Sequence, residues 1–276
     1  MSHSIPVATT WVNGQLADHL PVTDRGLAYG DGLFETLRAS QGRLPLLELH
    51  LKRLQRGCDV LRIPFRRQLI EEELGSAANA IGDGVVKLTL TRGSGQRGYA
   101  MPADAQPTRV IAVFPLPEYP ADRRDGVQLY CCATRLSDQP LLAGIKHLNR
   151  LEQVLARSEW QDPAFAEGLV CDQQGRVVEG TMSNLFARVA GEWVTPDLSR
   201  CGVQGVMRDY LLARMLERGQ RFTVGALTLD ALHQADQVFC CNSLIGVWPV
   251  IRLGDRAWQV GSETRLLQSL AEQVYL

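Results

Sequence analysis

A chain of 276 residues with 45% apolar side chains is long enough for a core of ordinary size and has room for two domains. Its 29 basic and 30 acidic residues nearly cancel, which argues against a nucleic-acid or anionic-membrane partner and for a small-molecule enzyme or an assembly subunit. The seven cysteines are odd in number and include the adjacent pairs Cys131, Cys132 and Cys240, Cys241, so they read as free thiols of a reducing compartment and not as a disulfide framework.

Met1 to Trp11 lacks both a basic start and a continuous apolar run, and no later segment approaches the length needed to cross a bilayer. The protein is therefore expected in the cytoplasm. Asn13-Gly14 within Trp11 to Leu16 predicts a tight hairpin. The run D-R-G-L-A-Y-G-D-G-L-F-E-T-L-R, Asp24 to Arg38, reads as a glycine loop feeding a strand. Leu47, Leu51, Leu54, Cys58 and Leu61 have the spacing of a helix with one buried stripe, and Arg53 lies beside that stripe. A second helix is expected around Gln68 to Ala80, then a strand from Val85 to Thr91 with Val86, Leu88 and Leu90 on one face.

Gly93, Gly95 and Gly98 in Arg92 to Pro102 have the G-x-G-x-x-G spacing, but Pro102 and Pro107 deny the helix that a dinucleotide fingerprint must open. The stretch is a loop carrying Arg92, Arg97 and Tyr99, either an exposed turn or a substrate-binding arm. After the strand Val110 to Phe114, Pro115, Pro117 and Pro120 make the clearest composition break. This predicts an N-terminal domain over 1–118, a linker over 119–125 and a second domain over 126–276.

In the second half, strands are expected at Val127 to Ala133, Gly168 to Cys171, Val177 to Glu179, Leu185 to Val189, Trp193 to Thr195 and Val238 to Cys241. Leu148, Leu151, Val154 and Leu155 predict an amphipathic helix from about Asn149 to Trp160, with Lys146 just ahead of it. Gly202 and Gly205 open a helix near Val206, and the free amides of such a start suit a phosphate. Leu266, Leu267, Leu270 and Val274 mark a last helix behind a Ser262 cap.

The chemistry-bearing residues are few. There is no G-x-S-x-G elbow, no nucleotide-triphosphate loop, no C-x-x-C and no H-E-x-x-H, and the histidines are scattered, so no metal is expected. Lys146 is flanked by Leu141, Leu142, Ala143 and Ile145, a setting that disfavours its charged form. A neutral amine is what Schiff-base chemistry needs. Most lysines are only solvated charges, and the residues alone leave that reading open. With a carboxylate, an arginine and a helix-start cradle, however, Lys146 completes the parts a pyridoxal phosphate site requires.

Six motifs in order carry a resemblance that covers nearly the whole chain. They are D-R-G-x-x-Y-G-D-G-x-F-E at Asp24 to Glu35, H-L-x-R-L at His50 to Leu54, the Lys146 segment, E-G-T-M-S-N-L-F at Glu179 to Phe186, G-V-M-R at Gly205 to Arg208, and Cys241 to Pro249. The chain resembles the fold-type IV pyridoxal phosphate enzymes, the class of branched-chain and D-amino-acid aminotransferases and of 4-amino-4-deoxychorismate lyase. The resemblance implies an α/β (α+β) fold of two domains, a smaller N-terminal α/β sandwich and a larger C-terminal pseudo-barrel carrying the Schiff-base lysine, and it implies a homodimer.

By that resemblance Lys146 is the Schiff-base lysine and proton shuttle, and Glu179 is the carboxylate partner of the pyridine nitrogen. Asn184 supports the cofactor site, while Arg53, the amides of Val206 and Met207, and Ser243 meet the phosphate. Asn184 as a turn residue and Ser243 as a strand cap are the plainer readings. Within the class, Gly144 to Gln153 and Arg92 to Tyr99 resemble the lyase. Leu151 stands where a branched-chain aminotransferase carries tyrosine, and Tyr99 where a D-amino-acid aminotransferase carries histidine. The implied reaction converts 4-amino-4-deoxychorismate to 4-aminobenzoate and pyruvate, in folate biosynthesis. Arg97 is then the first candidate for a substrate carboxylate, with Tyr99 and Asn242 as helpers, and Thr36 a candidate proton donor to the leaving group. An aminotransferase on the same cofactor and a non-catalytic cofactor carrier are the alternatives.

Overall fold

The computed structural model describes residues 9–276, and the chain divides into two compact units. Residues 1–8, on which the reading of the chain's start largely rests, lie outside the described residues. One unit runs to Pro117 and includes Lys146–Asn149; the other comprises Glu118–Ile145 and Arg150–Leu276.

The first unit contains β1 (Thr9–Val12), β2 (Gln15–Leu16), α1 (Arg25–Tyr29), β3 (Gly32–Ala39), α2 (Leu47–Leu61), α3 (Arg67–Ile81), β4 (Gly84–Thr91) and β5 (Thr108–Phe114). Its sheet has the order β2-β1-β5-β4-β3, all antiparallel. The expected tight turn joins β1 to β2, with Asn13 and Gly14 both at positive φ (51° and 81°). Leu51, Leu54 and Cys58 of α2 and Ile70 and Leu74 of α3 are buried, as are Leu33, Leu37, Val86, Leu88 and Leu90 of the sheet. Helix α2 lies so close to β3 that a Cβ added at Gly57 would come within 2.7 Å of the Leu33 side chain.

The second unit contains β6 (Val127–Leu136), α4 (Leu151–Ser158), β7 (Phe165–Asp172), β8 (Arg176–Gly180), β9 (Asn184–Val189), β10 (Glu192–Pro196), α5 (Val206–Glu217), β11 (Phe222–Gly225), β12 (Leu227–Thr228), α6 (Leu229–His233), β13 (Gln237–Asn242), β14 (Gly246–Leu253), β15 (Arg256–Ala257) and α7 (Ser262–Gln273). Its strands follow the path β11-β10-β9-β13-β14-β6-β7-β8-β12, with β15 on β14. The two ends of that path, β11 and β12, are consecutive in the chain, so the sheet curls back on itself as a nearly closed barrel. Leu129, Leu169, Leu185, Val238, Cys240 and Trp248 belong to its core.

Four expectations change. Residues 119–125 are not a free tether. Ala121–Arg124 forms a 3-10 turn whose Arg124 carbonyl accepts from Arg265 and Gln268 of α7 at 2.7 and 3.0 Å, and Arg123 lies over the Trp248 ring. Residues 146–149, expected with the second domain, pack with the first unit because their backbone pairs with β3. The helix expected over Asn149 to Trp160 is shorter, and its apolar stripe faces outward. Leu151, Val154 and Leu155 are 76%, 61% and 59% exposed, and Ala156 is the helix's buried residue. Finally, Gly261 and not Ser262 caps α7, and the Gln237 side chain accepts the Thr264 amide at 3.1 Å.

Candidate active site

The candidate residues of the first unit are organised by the edge strand β3. Phe34 N–H donates to the Lys146 carbonyl at 2.9 Å and Leu148 N–H to the Gly32 carbonyl at 3.0 Å. Residues 146–148 thereby extend the sheet past β3, with Leu33 opposite His147. Because side chains alternate along a strand, Lys146 falls on the face of Phe34 and Thr36. Its Nζ lies 4.3 Å from the centre of the Phe34 ring. Lys146 is half-buried, but its apolar surroundings are not the flanks read from the sequence: Leu141 is 76% exposed, and the contact is with Phe34. Arg38 alternates onto the same face as Thr36, and the sequence reading passed over it.

The opposite face of β3 carries Glu35, which is 2% exposed and meets α2. Glu35 accepts Arg53 Nε at 2.8 Å, Arg53 Nη2 on its other oxygen, and His50 Nδ1 at 2.7 Å. Burial alone would raise the Glu35 carboxyl. The charge and hydrogen bonds of Arg53, with His50, outweigh burial and hold it at about 2. Burial is also the main reason the His50 pKa is lowered, so His50 is a neutral donor to the carboxylate. Arg53, the phosphate candidate, is thus gripped side-on by a carboxylate that the sequence reading quoted in a motif without assigning a role.

Arg97 and Tyr99 stand on the exposed loop after β4, and Tyr99 is 86% exposed. No helix opens at its glycines, as expected.

The second-unit candidates gather at one end of the barrel sheet. Glu179 is the second-last residue of β8 and Asn184 begins β9; Asn184 pairs with Cys241 on β13, next to Asn242 and Ser243. Buried Glu179 accepts the Val203 amide at 2.8 Å, and buried Asn184 donates to the Val203 carbonyl at 2.9 Å. The loop before α5 is therefore fastened to both residues. It sits so tightly that a Cβ at Gly205 would lie 1.9 Å from Asn184 Oδ1, which only glycine tolerates. Helix α5 starts at Val206 with no side-chain cap, so the first amides, those of Val206 and Met207, present the donors of an anion site. Asn242 spends its side chain on the turn: Oδ1 accepts the Leu244 and Ile245 amides at 2.8 and 2.9 Å, and Nδ2 donates to Met182 at 3.1 Å.

Within the second unit, a buried carboxylate, an uncapped helix start over a glycine-only cradle and a hydroxyl have the chemistry that the pyridine nitrogen and phosphate of pyridoxal phosphate require. The first unit separately offers a lysine beside an aromatic ring. Burial pushes the Cys132 and Cys201 thiols up to about 12, which makes both poor nucleophiles.

Residues 32–253 match the family described as Amino-transferase class IV. The chain belongs to that family. A relative from Vibrio harveyi, an aminodeoxychorismate lyase, is 38% identical over 94% of this chain and 97% of its own. A putative branched-chain-amino-acid aminotransferase from Methanocaldococcus jannaschii is 30% identical over 94% and 93%. The crystal structure of 4-amino-4-deoxychorismate lyase from Pseudomonas aeruginosa superposes with a TM-score of 0.94 at 51% identity, covering 97% of this chain and all (100%) of that one. This class IV chain therefore has the two-unit fold expected of it, with the barrel as its larger part.

Proposed function

We propose that this class IV chain is a pyridoxal-phosphate-dependent lyase that converts 4-amino-4-deoxychorismate to 4-aminobenzoate and pyruvate, a step of folate biosynthesis. The observation that carries the reading is the end-to-end similarity to the Pseudomonas aeruginosa lyase, 51% identical over 97% of this chain.

Lys146 would hold pyridoxal phosphate in the resting enzyme, and that group would supply an electron sink for charge that develops beside the substrate nitrogen. Glu179, whose buried carboxylate is kept in place by the Val203 amide, would hold a proton on the pyridine nitrogen. The Val206 and Met207 amides and Ser243 would hold the phosphate, with Arg53 as the candidate arginine for the same group and Asn184 fixing the loop that presents those amides. Lys146, as the neutral amine, takes the proton from the ring carbon that bears the substrate nitrogen. Thr36 lies on its face of β3 and is assigned the proton that the leaving enolpyruvyl methylene gains. Arg97 offers a planar fork to a substrate carboxylate, with Tyr99 beside it. Asn242 contributes by shaping the turn at 242–245 and tying it to the Met182 carbonyl.

Substrate and products are related by elimination alone, so no second substrate is consumed. Purified holoenzyme given 4-amino-4-deoxychorismate is expected to release pyruvate and 4-aminobenzoate in equal amounts without a keto acid. Pyruvate-free turnover that requires an amino donor and a keto acid would instead identify an aminotransferase, and bound cofactor without turnover on either would identify a carrier.

We also infer a homodimer in the cytoplasm. Leu151, Val154 and Leu155 of α4, with Leu141, make an apolar surface that a second copy would cover. The seven free cysteines suit a reducing compartment. Sedimentation should give twice the chain mass, and the double substitution Leu151→Lys, Val154→Lys should shift the species to one chain. A double variant that sediments like the parent would remove α4 from the interface.

A further inference from the structure

The stretch Asp24 to Asp31 is left without a chemical role by the reaction, yet it contains a buried cation that bonds directly to the substrate loop. Arg25 is 4% exposed. Its Nε donates to Asp31 Oδ2 at 2.9 Å, Nη1 to the Gly98 carbonyl at 2.9 Å and Nη2 to the Tyr99 carbonyl at 3.3 Å. The guanidinium lies over the Tyr29 ring at 4.9 Å. Tyr29 Oη in turn accepts the Gly98 amide at 3.1 Å, and its ring meets that of Tyr99 at 5.5 Å.

The hub beneath is anchored from the other side. Arg92 Nε and Nη2 pair with Asp31 at 2.7 and 2.9 Å, and Arg92 also donates to the Leu61 and Arg62 carbonyls at the end of α2, at 2.6 and 3.0 Å. Burial would raise the Asp31 carboxyl, but Arg92 and Arg25 outweigh it and hold it below the usual range. A chain of bonds therefore runs from α2 through Arg92 and Asp31 to Arg25 and on to the loop. The loop has little packing of its own, since Arg97, Tyr99 and Ala100 are exposed and nothing lies within 4 Å of a Cβ built on Gly98. Its pose at Gly98 and Tyr99 rests on these polar contacts.

We propose that Arg25, seated on Asp31 and Tyr29, is a positioning residue that fixes the Gly98–Tyr99 backbone and so aims Arg97 at a substrate carboxylate. This rests on the reading of Arg97 given above. The glycine-rich motif at Asp24 to Gly32 is then the pedestal of the substrate arm.

The test uses the holoenzyme and two mild variants. Arg25→Lys keeps a cation beside Asp31 but replaces the fork that reaches two carbonyls, and Tyr29→Phe removes only the acceptor of the Gly98 amide. Amide exchange over residues 96–101 should quicken about tenfold in Arg25→Lys and about threefold in Tyr29→Phe, with exchange elsewhere unchanged. KM for 4-amino-4-deoxychorismate should rise by about the same factors, with kcat within about twofold and cofactor absorbance unaltered. Unchanged exchange in both variants overturns the proposal. So does faster exchange with an unchanged KM, and Arg97→Ala then says which reading failed: a raised KM there leaves Arg97 in the site and removes Arg25, whereas an unchanged KM removes the arm itself.

Discussion

Lys146→Ala is expected to abolish turnover, by a factor of about a thousand or more, while the protein remains folded. The two bonds that fasten this strip to β3 are made by backbone atoms, Phe34 N–H to the Lys146 carbonyl and Leu148 N–H to the Gly32 carbonyl, and neither needs the side chain. The side chain's contact with the Phe34 ring is of the order of 0.5–1 kcal/mol for a half-exposed cation over an aromatic face. Chemistry and folding are therefore separable at this residue. The long-wavelength absorbance of lysine-joined cofactor should vanish, the melting temperature should move by only a few degrees, and pyruvate release should fall to background. Lys146→Arg is the sharper companion, because it keeps a cation near Phe34 and offers no amine that joins an aldehyde. Full pyruvate release from either variant would displace Lys146 from the centre of the site.

The candidate site was legible where the signal was local. The stripe Leu51, Leu54, Cys58 announced α2, the Gly202, Gly205 pair announced the start of α5, and both elements stand where the pattern put them. Motif order carried Glu179 and Asn184 to the two sides of one barrel turn. What escaped was pairing between distant residues. Glu35 meets residues 15 and 18 positions further on, and Arg25 meets carbonyls 73 and 74 positions further on, separations at which periodicity has nothing to say. Backbone pairing escaped for the same reason, since nothing in the side chains of residues 146–149 reveals a ladder with β3. Helix α4 teaches a different lesson. Its apolar period was read correctly, but a period specifies that a face exists and not what covers it, so Leu151, Val154 and Leu155 were expected inside and lie outside. Cys240 and Cys241 are both buried because both faces of β13 are covered, which alternation alone does not determine.

Glu35→Ala should be the most destabilising single change in the first unit, by about 3–5 kcal/mol, because it strands the buried Arg53 guanidinium without its counter-charge. A loss of that size corresponds to roughly 10 °C in Tm. Glu35→Gln, which keeps an acceptor for one of the three donors, should fall between the two. The pH dependence gives an independent reading. The Glu35 carboxyl is held at about 2 against an ordinary 4.5, so the folded state binds its proton later than the unfolded chain does. Its stabilisation is complete above about 4.5 and fades as pH falls toward 2. His50, with its pKa lowered from 6.5, adds a loss of the same sign that begins as pH falls through 6.5, where the unfolded chain gains a proton that the folded one resists. Denaturant midpoints measured between pH 7 and 3 should therefore decline in two stages for the parent protein. The lower stage should be shallower in Glu35→Ala, whose carboxylate is gone, and what remains belongs to the other depressed carboxyls, Asp31 and Asp172 among them. On the reading of Arg53 as a phosphate ligand, the same variant should also hold the cofactor more weakly, by about tenfold, since an unanchored guanidinium must be ordered anew each time it binds. A Glu35→Ala protein that melts with its parent and keeps the lower stage at its full depth would mean that Arg53 is held by something other than this carboxylate.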